Sequence, residues 1–266
     1  MFLKTAAKNL LLTFEIKKVA ILSAMEYRIS FIFQVVGMMI NNTGFVLIWL
    51  IYFARFPSLN GWSFHEMALL LAINSISYGL VWIFAYGAVG LSKSVTKGEI
   101  DRFLSMPQNT LWQISVSKTE MSAIGDLFFG LIMLFISNYT SWQNILIFLL
   151  VIIFSSIVLY SFIISTQSLA FFLGDFEGTS REFINTILGL TMYPQGIYGG
   201  ALKLLIMTVI PAYFVAALPI QIIRFHDYTL IIYLALASFV FFAIANLIFK
   251  AGLKRYESGN QITLNI

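Results

Sequence analysis

The chain has 266 residues, of which 59% are hydrophobic and only 11% are charged. Soluble globular domains carry about 25% charged residues, so this composition excludes a fold whose whole surface faces water. Several apolar stretches reach the roughly 20 residues that cross a bilayer, and the sequence therefore predicts an all-α polytopic membrane protein. The net charge of +4 does not indicate a nucleic-acid partner, because basic residues in a membrane protein follow its topology.

The sequence also lacks the residues that several kinds of catalysis require. It has no cysteine, which excludes thiolate nucleophiles and cysteine metal sites, and its two histidines, His65 and His226, lie far apart. It contains no GxxxxGK[ST] phosphate loop, no GxSxG nucleophile motif and no HExxH zinc motif. We therefore predict no catalytic residue, no metal site and no cofactor on this chain.

Residues 1–20 predict an amphipathic helix that lies along the membrane surface. One face carries the apolar residues Leu3, Ala7, Leu10, Leu11 and Phe14, and the other face carries Lys4, Lys8, Glu15 and Lys18. Basic residues beside an apolar stripe suit a surface of anionic lipid.

Six apolar segments predict transmembrane helices, at 27–53, 67–91, 119–137, 144–173, 183–199 and 228–249. Residues 200–223 are also apolar, but Pro211 and Pro219 cut them into pieces too short to cross, which predicts a re-entrant hairpin. If both termini are cytoplasmic, 13 of the 16 basic residues lie inside, and only Arg55, Lys203 and Arg224 lie outside. This bias favours six spans.

Polar residues within the predicted spans are candidates for function. One set either lines a translocation path or forms hydrogen bonds between helices of one subunit: Asn41, Asn42, Asn74, Ser77, Tyr78, Asn185 and Thr191. Asp126 is a separate case, since it lies about two turns inside the third span. It either relays protons or lies close enough to the interface to reach water or Lys118.

The longest polar interruption, 92–118, contains a short amphipathic helix predicted at 97–107. Its apolar residues Ile100, Phe103, Leu104 and Pro107 follow the i, i+3, i+4, i+7 spacing, while Glu99, Asp101 and Arg102 fall opposite and Gly98 precedes them. Such a helix either rests among lipid headgroups or presents its apolar face to a partner protein.

Two patterns in the chain resemble the permease subunits of the ABC type-2 exporter superfamily. The first, G-E-[IL]-D-x-x-L-x-x-P, is matched by Gly98, Glu99, Ile100, Asp101, Leu104 and Pro107. The second, Y-P…P-x-x-[FY]…P, is matched by Tyr193, Pro194, Pro211 and Pro219. The resemblance also includes the N-terminal amphipathic helix and the GWSFHEM stretch at 61–67, and it covers nearly the whole chain.

The resemblance implies a non-catalytic permease in the cytoplasmic membrane of a bacterium. Residues 97–107 would be the coupling helix, with Ile100, Phe103 and Leu104 inserted into a separate ATPase. A re-entrant gate at the outer side would include Tyr193, Pro194, Tyr198, Pro211 and Pro219. Two ATPase subunits would bind ATP and Mg, and a second permease, identical or homologous, would complete the path.

The implied substrate is amphipathic or hydrophobic, as a drug, lipid, peptide or glycan is. Two other classes stay open at this point. The chain could be a secondary transporter that is driven by protons through Asp126, or a membrane scaffold that transports nothing.

Overall fold

The computed structural model describes residues 2–256, with side chains from residue 9 onwards except at position 195. Within that range the regular structure is helical, apart from one β-bridge between Leu59 and Trp62. The α-helices are α1 Phe2–Glu26, α2 Arg28–Arg55, α3 Phe64–Val89, α4 Leu91–Thr96, α5 Asp101–Leu104, α6 Thr110–Val116, α7 Ala123–Ile136, α8 Trp142–Gln167, α9 Ala170–Leu173, α10 Glu177–Thr191, α11 Gly200–Thr208, α12 Leu218–Phe225 and α13 Thr229–Leu253. The predicted all-α fold class is confirmed.

Four helical segments of the described chain are long and apolar enough to cross a membrane: Arg28–Arg55, Phe64–Thr96, Trp142–Leu173 and Thr229–Leu253. They correspond to the predicted spans 27–53, 67–91, 144–173 and 228–249. A fifth crossing exists if α11 and the following Tyr213–Phe225 segment act as one span, although the two pieces are bent by 76°. The predicted number of six spans is therefore not confirmed.

The other two predicted spans are shorter than the sequence suggested. α7 has 14 residues, about 21 Å, because 119–122 form a turn rather than its first helical residues. α10 begins at Glu177 and ends at Thr191, so the predicted span 183–199 was wrong at both ends. The helix stops there because a residue before proline disfavours the α conformation, and Pro194 follows Tyr193.

Of the two prolines after α11, only Pro211 coincides with a break in the helix, which lies between Thr208 and Tyr213. Pro219 was predicted to cut the segment as well, but Tyr213–Ala217 form a π-helical turn that continues through it into α12. Pro219 cannot donate the i→i−4 bond to Val215, and a π turn is one way in which a helix accommodates such a defect. The re-entrant course of 200–223 through the membrane stays a prediction.

The N-terminal helix α1 is longer than the predicted 1–20 segment. It runs to Glu26, and a single residue, Tyr27, separates it from α2. Leu10, Leu11 and Phe14 are exposed, as the predicted apolar face requires. Glu15 and Lys18 of the predicted polar face are also exposed, whereas Leu3, Lys4, Ala7 and Lys8 lie outside the described side chains.

Helix α3 forms the centre of the packing. It crosses α7 closely where both helices carry glycine, since a Cβ on Gly79 would lie 2.8 Å from Leu127 and one on Gly130 would lie 3.1 Å from the carbonyl oxygen of Ala72. Small residues at such crossings let two backbones approach in a membrane. By contrast, α2 buries only Asn42, Val46 and Trp49, so most of this helix faces outward.

Contacts between loops divide the molecule into two ends. At one end, Arg224 pairs with Glu66, His226 hydrogen-bonds Asn144, and Asn60 donates to the carbonyl of Gly196. At the other end, the region 90–118 contacts Lys17 of α1, Gln167 at the end of α8, and Tyr256 just after α13. We call this second end the basic end, because it is where the predicted cytoplasmic lysines and arginines gather.

Candidate translocation cavity and coupling segment

A cavity of about 270 Å³ lies between α2, α3, α7 and α10, and we call it the central cavity. Five of the seven predicted path residues line it: Asn41, Asn42, Asn74, Tyr78 and Asn185. They come from three helices that are distant in sequence. Its apolar lining includes Phe45, Trp82 and Ile184, which the sequence did not single out.

The cavity also contains the carboxylate of Asp126, which the sequence did not group with the predicted path residues. Asp126 lines the cavity, and its Oδ1 accepts a 2.6 Å hydrogen bond from Nδ2 of Asn42. Gly125, immediately before it, lets α7 approach α2 closely, since a Cβ there would lie 3.0 Å from that of Met38. Among the described residues, Lys118 is not within 4 Å of Asp126, so the predicted contact between them is absent.

Two further polar atoms near Asp126 lack hydrogen-bond partners within the described chain. Asn74 is 1% exposed, and its Oδ1 accepts no hydrogen bond. The hydroxyl of Tyr78 lies beside Thr191 without a bond shorter than 3.5 Å. Buried polar atoms usually find partners, and those that do not call for an explanation such as an unseen ligand or water.

The remaining two predicted path residues lie elsewhere. Ser77 is fully buried and faces α8, where its carbonyl oxygen accepts a hydrogen bond from Ser156. Thr191 is also buried, and it donates to the carbonyl oxygen of Leu188 within its own helix. The Ser77 hydroxyl itself has no partner within the described chain, and Thr191 bonds only within α10, so neither side chain forms the hydrogen bond between helices that was the alternative.

A second cavity of about 360 Å³ adjoins the central cavity toward the basic end, and we call it the basic cavity. Trp82, Ile184 and Asn185 line both cavities. The charged residues of the basic cavity are Lys93, Lys118, Arg181 and Glu177, of which Glu177 forms an ion pair of 3.0 Å with Arg181. The two cavities share one wall and differ in charge, because Asp126 lines the central cavity whereas the basic cavity has more basic than acidic residues.

The predicted coupling helix 97–107 is a loop with one helical turn, Asp101–Leu104. It begins where α4 ends, because Gly98 adopts a left-handed φ of 71° and Glu99 N–H bonds back to the carbonyl of Ser94. This is a Schellman motif, which terminates a helix at glycine. The Glu99 carboxylate also accepts from Ser94, and α6 then starts at its cap, Asn109. The prediction of a helix over the whole segment was wrong.

The apolar residues of this segment do not all face outward. Ile100 is fully buried and Phe103 is 6% exposed, and both belong to a core cluster that includes Leu91, Leu111 and Ile163. The prediction that these two residues insert into a partner therefore does not fit their positions. The helical spacing correctly grouped them on one face, but in this fold that face meets the chain's own core.

The outward surface of the segment is formed by other residues. Leu104 and Met106 are each nearly half exposed, and Asp101, Arg102 and Pro107 are also exposed. Arg102 lies over the Phe103 ring at 4.5 Å. Asp101 faces Tyr256, whose pKa is raised to about 12 by burial and by this carboxylate. We call Leu104 and Met106, with the polar residues around them, the coupling surface.

Helix α6 follows the coupling surface in the chain and packs against α1, α3 and α8. Lys17 of α1 is 2% exposed, and its ammonium donates to the carbonyl oxygens of Val116 and Lys118 and to Thr119 Oγ1, at 2.8–3.0 Å. The first two acceptors lie at the carboxyl end of α6, where a cation is favoured by the helix dipole. Burial lowers the pKa of Lys17 to about 8. Sequence reasoning placed Lys17 only among the basic residues of one side.

Three of the predicted gate residues, Tyr193, Pro194 and Tyr198, flank Gly196, which Asn60 contacts at the end opposite the basic end. Tyr193 packs edge-on against Trp49 of α2, and the Tyr198 hydroxyl donates to the carbonyl of Leu190. Pro194, Pro211 and Pro219 are buried. These residues thus border the segment between α10 and α12, and their gating role stays a prediction.

The fold and its cavities define a multi-pass helical membrane protein with a cavity between its helices that both polar and apolar side chains line. The model of the family described as "ABC-2 family transporter protein" matches residues 38–260, so the chain belongs to that family. No curated protein and no solved structure gives a significant match. The resemblance inferred from the two motifs is confirmed at the level of the family. The chain is therefore a membrane transport component.

Proposed function

We propose that this chain is the permease subunit of an ABC exporter that is driven by a separate ATPase. The observation that carries the proposal is the coupling surface, which is an exposed apolar pair on a loop that is held firmly at both ends. A Schellman motif fixes its start, and α6 fixes its end against α1, α3 and α8. Movement imposed on such a loop is transmitted to the helices that line the central cavity, because packed helices move as rigid elements.

A second permease, identical or homologous, completes the path in this proposal. The central cavity lies beside α2, and the outward face of α2 carries large apolar side chains along its length, such as Ile29, Phe33, Ile40 and Ile51. A helix of this kind faces either lipid or another helix in the membrane. With both termini cytoplasmic in a bacterial membrane, the coupling surface meets the ATPase, which supplies the ATP and Mg sites.

The proposal is tested by changing the two exposed residues of the coupling surface. Leu104→Asp with Met106→Asp places two carboxylates where an apolar contact is needed, and neither residue is required for the core. We expect the purified variant to remain folded, to lose the co-purifying ATPase and to lose substrate-stimulated ATP hydrolysis at least tenfold. Phe103 is unsuitable for this test because it is buried.

The matched control places a carboxylate at an exposed aromatic residue of the opposite end, Phe56→Asp. This variant should leave both the co-purification of the ATPase and the substrate-stimulated ATP hydrolysis unchanged. If the double variant still binds and stimulates its ATPase like the wild type, the coupling surface is not where the ATPase docks. Mass identification of the chains that co-purify with the wild type identifies the ATPase and the second permease in the same experiment.

One observation favours a second candidate, a proton-coupled secondary transporter. Asp126 is a carboxylate in the first turn of the apolar helix α7 and lines a cavity, and such carboxylates in membrane proteins serve as proton relays. That function predicts flux into liposomes that hold this chain alone under a pH gradient, and loss of the flux in Asp126→Asn. Flux that requires the ATPase and ATP rejects it, and absence of flux under every condition favours a scaffold.

A further inference from the structure

We propose that the central cavity binds a protonated amine through Asp126, and that the rest of the ligand is neutral or acidic. The binding site itself follows from the geometry of the cavity. Only the view that the bound amine is the transported substrate rests on the proposed function.

No basic side chain of the described residues forms an ion pair with the carboxylate of Asp126. Its one hydrogen bond in the described chain comes from the neutral amide of Asn42, and no described basic side chain lies within 4 Å. Asp126 lies in the first turn of α7, where the helix dipole favours a carboxylate, but that partial charge does not replace a full cationic partner. A cationic ligand in the adjoining cavity provides that partner.

The acceptors around the cavity match the donors of an amine. The unpartnered Oδ1 of Asn74 and the hydroxyl of Tyr78 both belong to residues that line the cavity together with Asp126. A primary ammonium carries three N–H donors and can serve several acceptors at once. The rings of Tyr78, Trp82 and Phe45 add aromatic faces, to which cations are attracted. A quaternary ammonium would gain the charge and the rings but could not donate to these oxygens.

The basic cavity restricts the rest of the ligand. A ligand that extends from the central cavity toward the basic end meets Lys93, Lys118 and Arg181, which outnumber the one acidic residue lining that cavity, Glu177. A second positive charge on the ligand would be repelled there, whereas a neutral or acidic body would not. The positive charge of the basic cavity therefore favours a ligand that carries one amine at one end over a diamine.

The test measures binding to the purified full-length chain in phosphatidylcholine nanodiscs, without any ATPase. Trp82 lines both cavities, so quenching of its fluorescence reports occupancy, and Trp82→Phe identifies that signal. The probes are octylamine, octanol, octyltrimethylammonium and 1,8-diaminooctane. We expect saturable quenching by octylamine, with each of the other three at least several-fold weaker.

Three variants decide whether Asp126 and its neighbours bind the amine. Asp126→Asn should weaken octylamine at least tenfold, as expected for a hydrogen bond to a charged group. The matched control Asp175→Asn changes an exposed carboxylate of the α9–α10 loop and should leave the affinity unchanged. Asn74→Leu removes an acceptor that has no partner, so it should keep the unfolding temperature and still weaken octylamine severalfold.

Equal quenching by octylamine and octanol overturns the proposal, because it shows that the cavity responds to apolar chains alone. Wild-type octylamine affinity in a folded Asp126→Asn variant also overturns it. If that variant does not fold, Asn74→Leu gives the decision. Because no ATPase is present, failure of the coupling experiments leaves this result unaffected, and failure here leaves the coupling proposal standing.

Discussion

Gly87 offers a direct test of how α3 and α6 are packed. It lies in the last turn of α3, where a methyl group would come to 2.7 Å from Ser117 Oγ and 2.9 Å from the carbonyl carbon of Ile114. Ordinary contacts between carbon atoms are about 3.5–4.0 Å, so Gly87→Ala requires α6 to retreat by about 1 Å. The obstacle is backbone of a second helix, which cannot rotate out of the way as a side chain can.

The expected cost of Gly87→Ala is the balance of two terms. Overpacking of this kind costs about 1–3 kcal/mol, and the higher helix propensity of alanine returns up to about 1 kcal/mol. We therefore expect a net loss of about 1–2 kcal/mol in the free energy of unfolding. Since α6 holds the end of the loop that carries the coupling surface, stimulated ATP hydrolysis should fall together with stability.

The measurement is reversible unfolding in mixed micelles, followed by circular dichroism. The control is Gly37→Ala in α2, where an added methyl group has open space and should be neutral or slightly stabilising. Equal stability of the Gly87→Ala variant and the wild type would refute the close approach of α3 and α6.

Further predictions concern two polar contacts, one at each end of the molecule: Lys17 with the end of α6, and Arg224 with Glu66. Lys17→Met should lower the free energy of unfolding by about 1.5–3 kcal/mol, because the carbonyl oxygens at the end of α6 lose a charged hydrogen-bond donor. Hydrogen exchange in α1 should increase as well, and unchanged exchange would mean that Lys17 does not hold α1 in place. An unfolded lysine keeps the usual pKa of 10.5, whereas Lys17 titrates at about 8 in the fold, so the unfolded state binds more protons between these values. The stability of the wild type should therefore rise relative to Lys17→Met from about pH 8 to 10, measured by unfolding across that range. Arg224→Gln should cost about 1–3 kcal/mol, because it leaves the Glu66 carboxylate buried without its 2.6 Å partner. The double variant with Glu66→Gln should recover part of that loss in the same unfolding assay, and additive losses would contradict the pairing.

The sequence by itself determined the class of protein and the approximate positions of four spans. Long apolar stretches have one stable solution in a bilayer, which is a helix that satisfies its own backbone, so the approximate positions of α2, α3, α8 and α13 followed from composition. The break after α11 was predictable from Pro211, because proline lacks the N–H that a helical hydrogen bond needs, whatever the rest of the fold does. The family followed from two motifs whose residues are close together in the chain.

The spans predicted at 119–137 and 183–199 failed because hydropathy does not locate helix ends. In the first, residues 119–122 lie outside the helix, and their conformation is fixed by tertiary contacts such as Lys17 to Thr119. In the second, the residues after Thr191 form a separate segment that is held by Asn60 and Tyr198.

The site depended on tertiary structure to a greater extent. The polar residues Asn42 and Asn74 stood out in the sequence, but only packing joined them with Asp126 into one cavity, since 84 residues separate the hydrogen-bonded pair Asn42 and Asp126. The helical spacing of Ile100 and Phe103 likewise defined a face without saying what covers it. An apolar face gains the same free energy from its own core as from a partner, so its direction is decided only when the rest of the chain is in place.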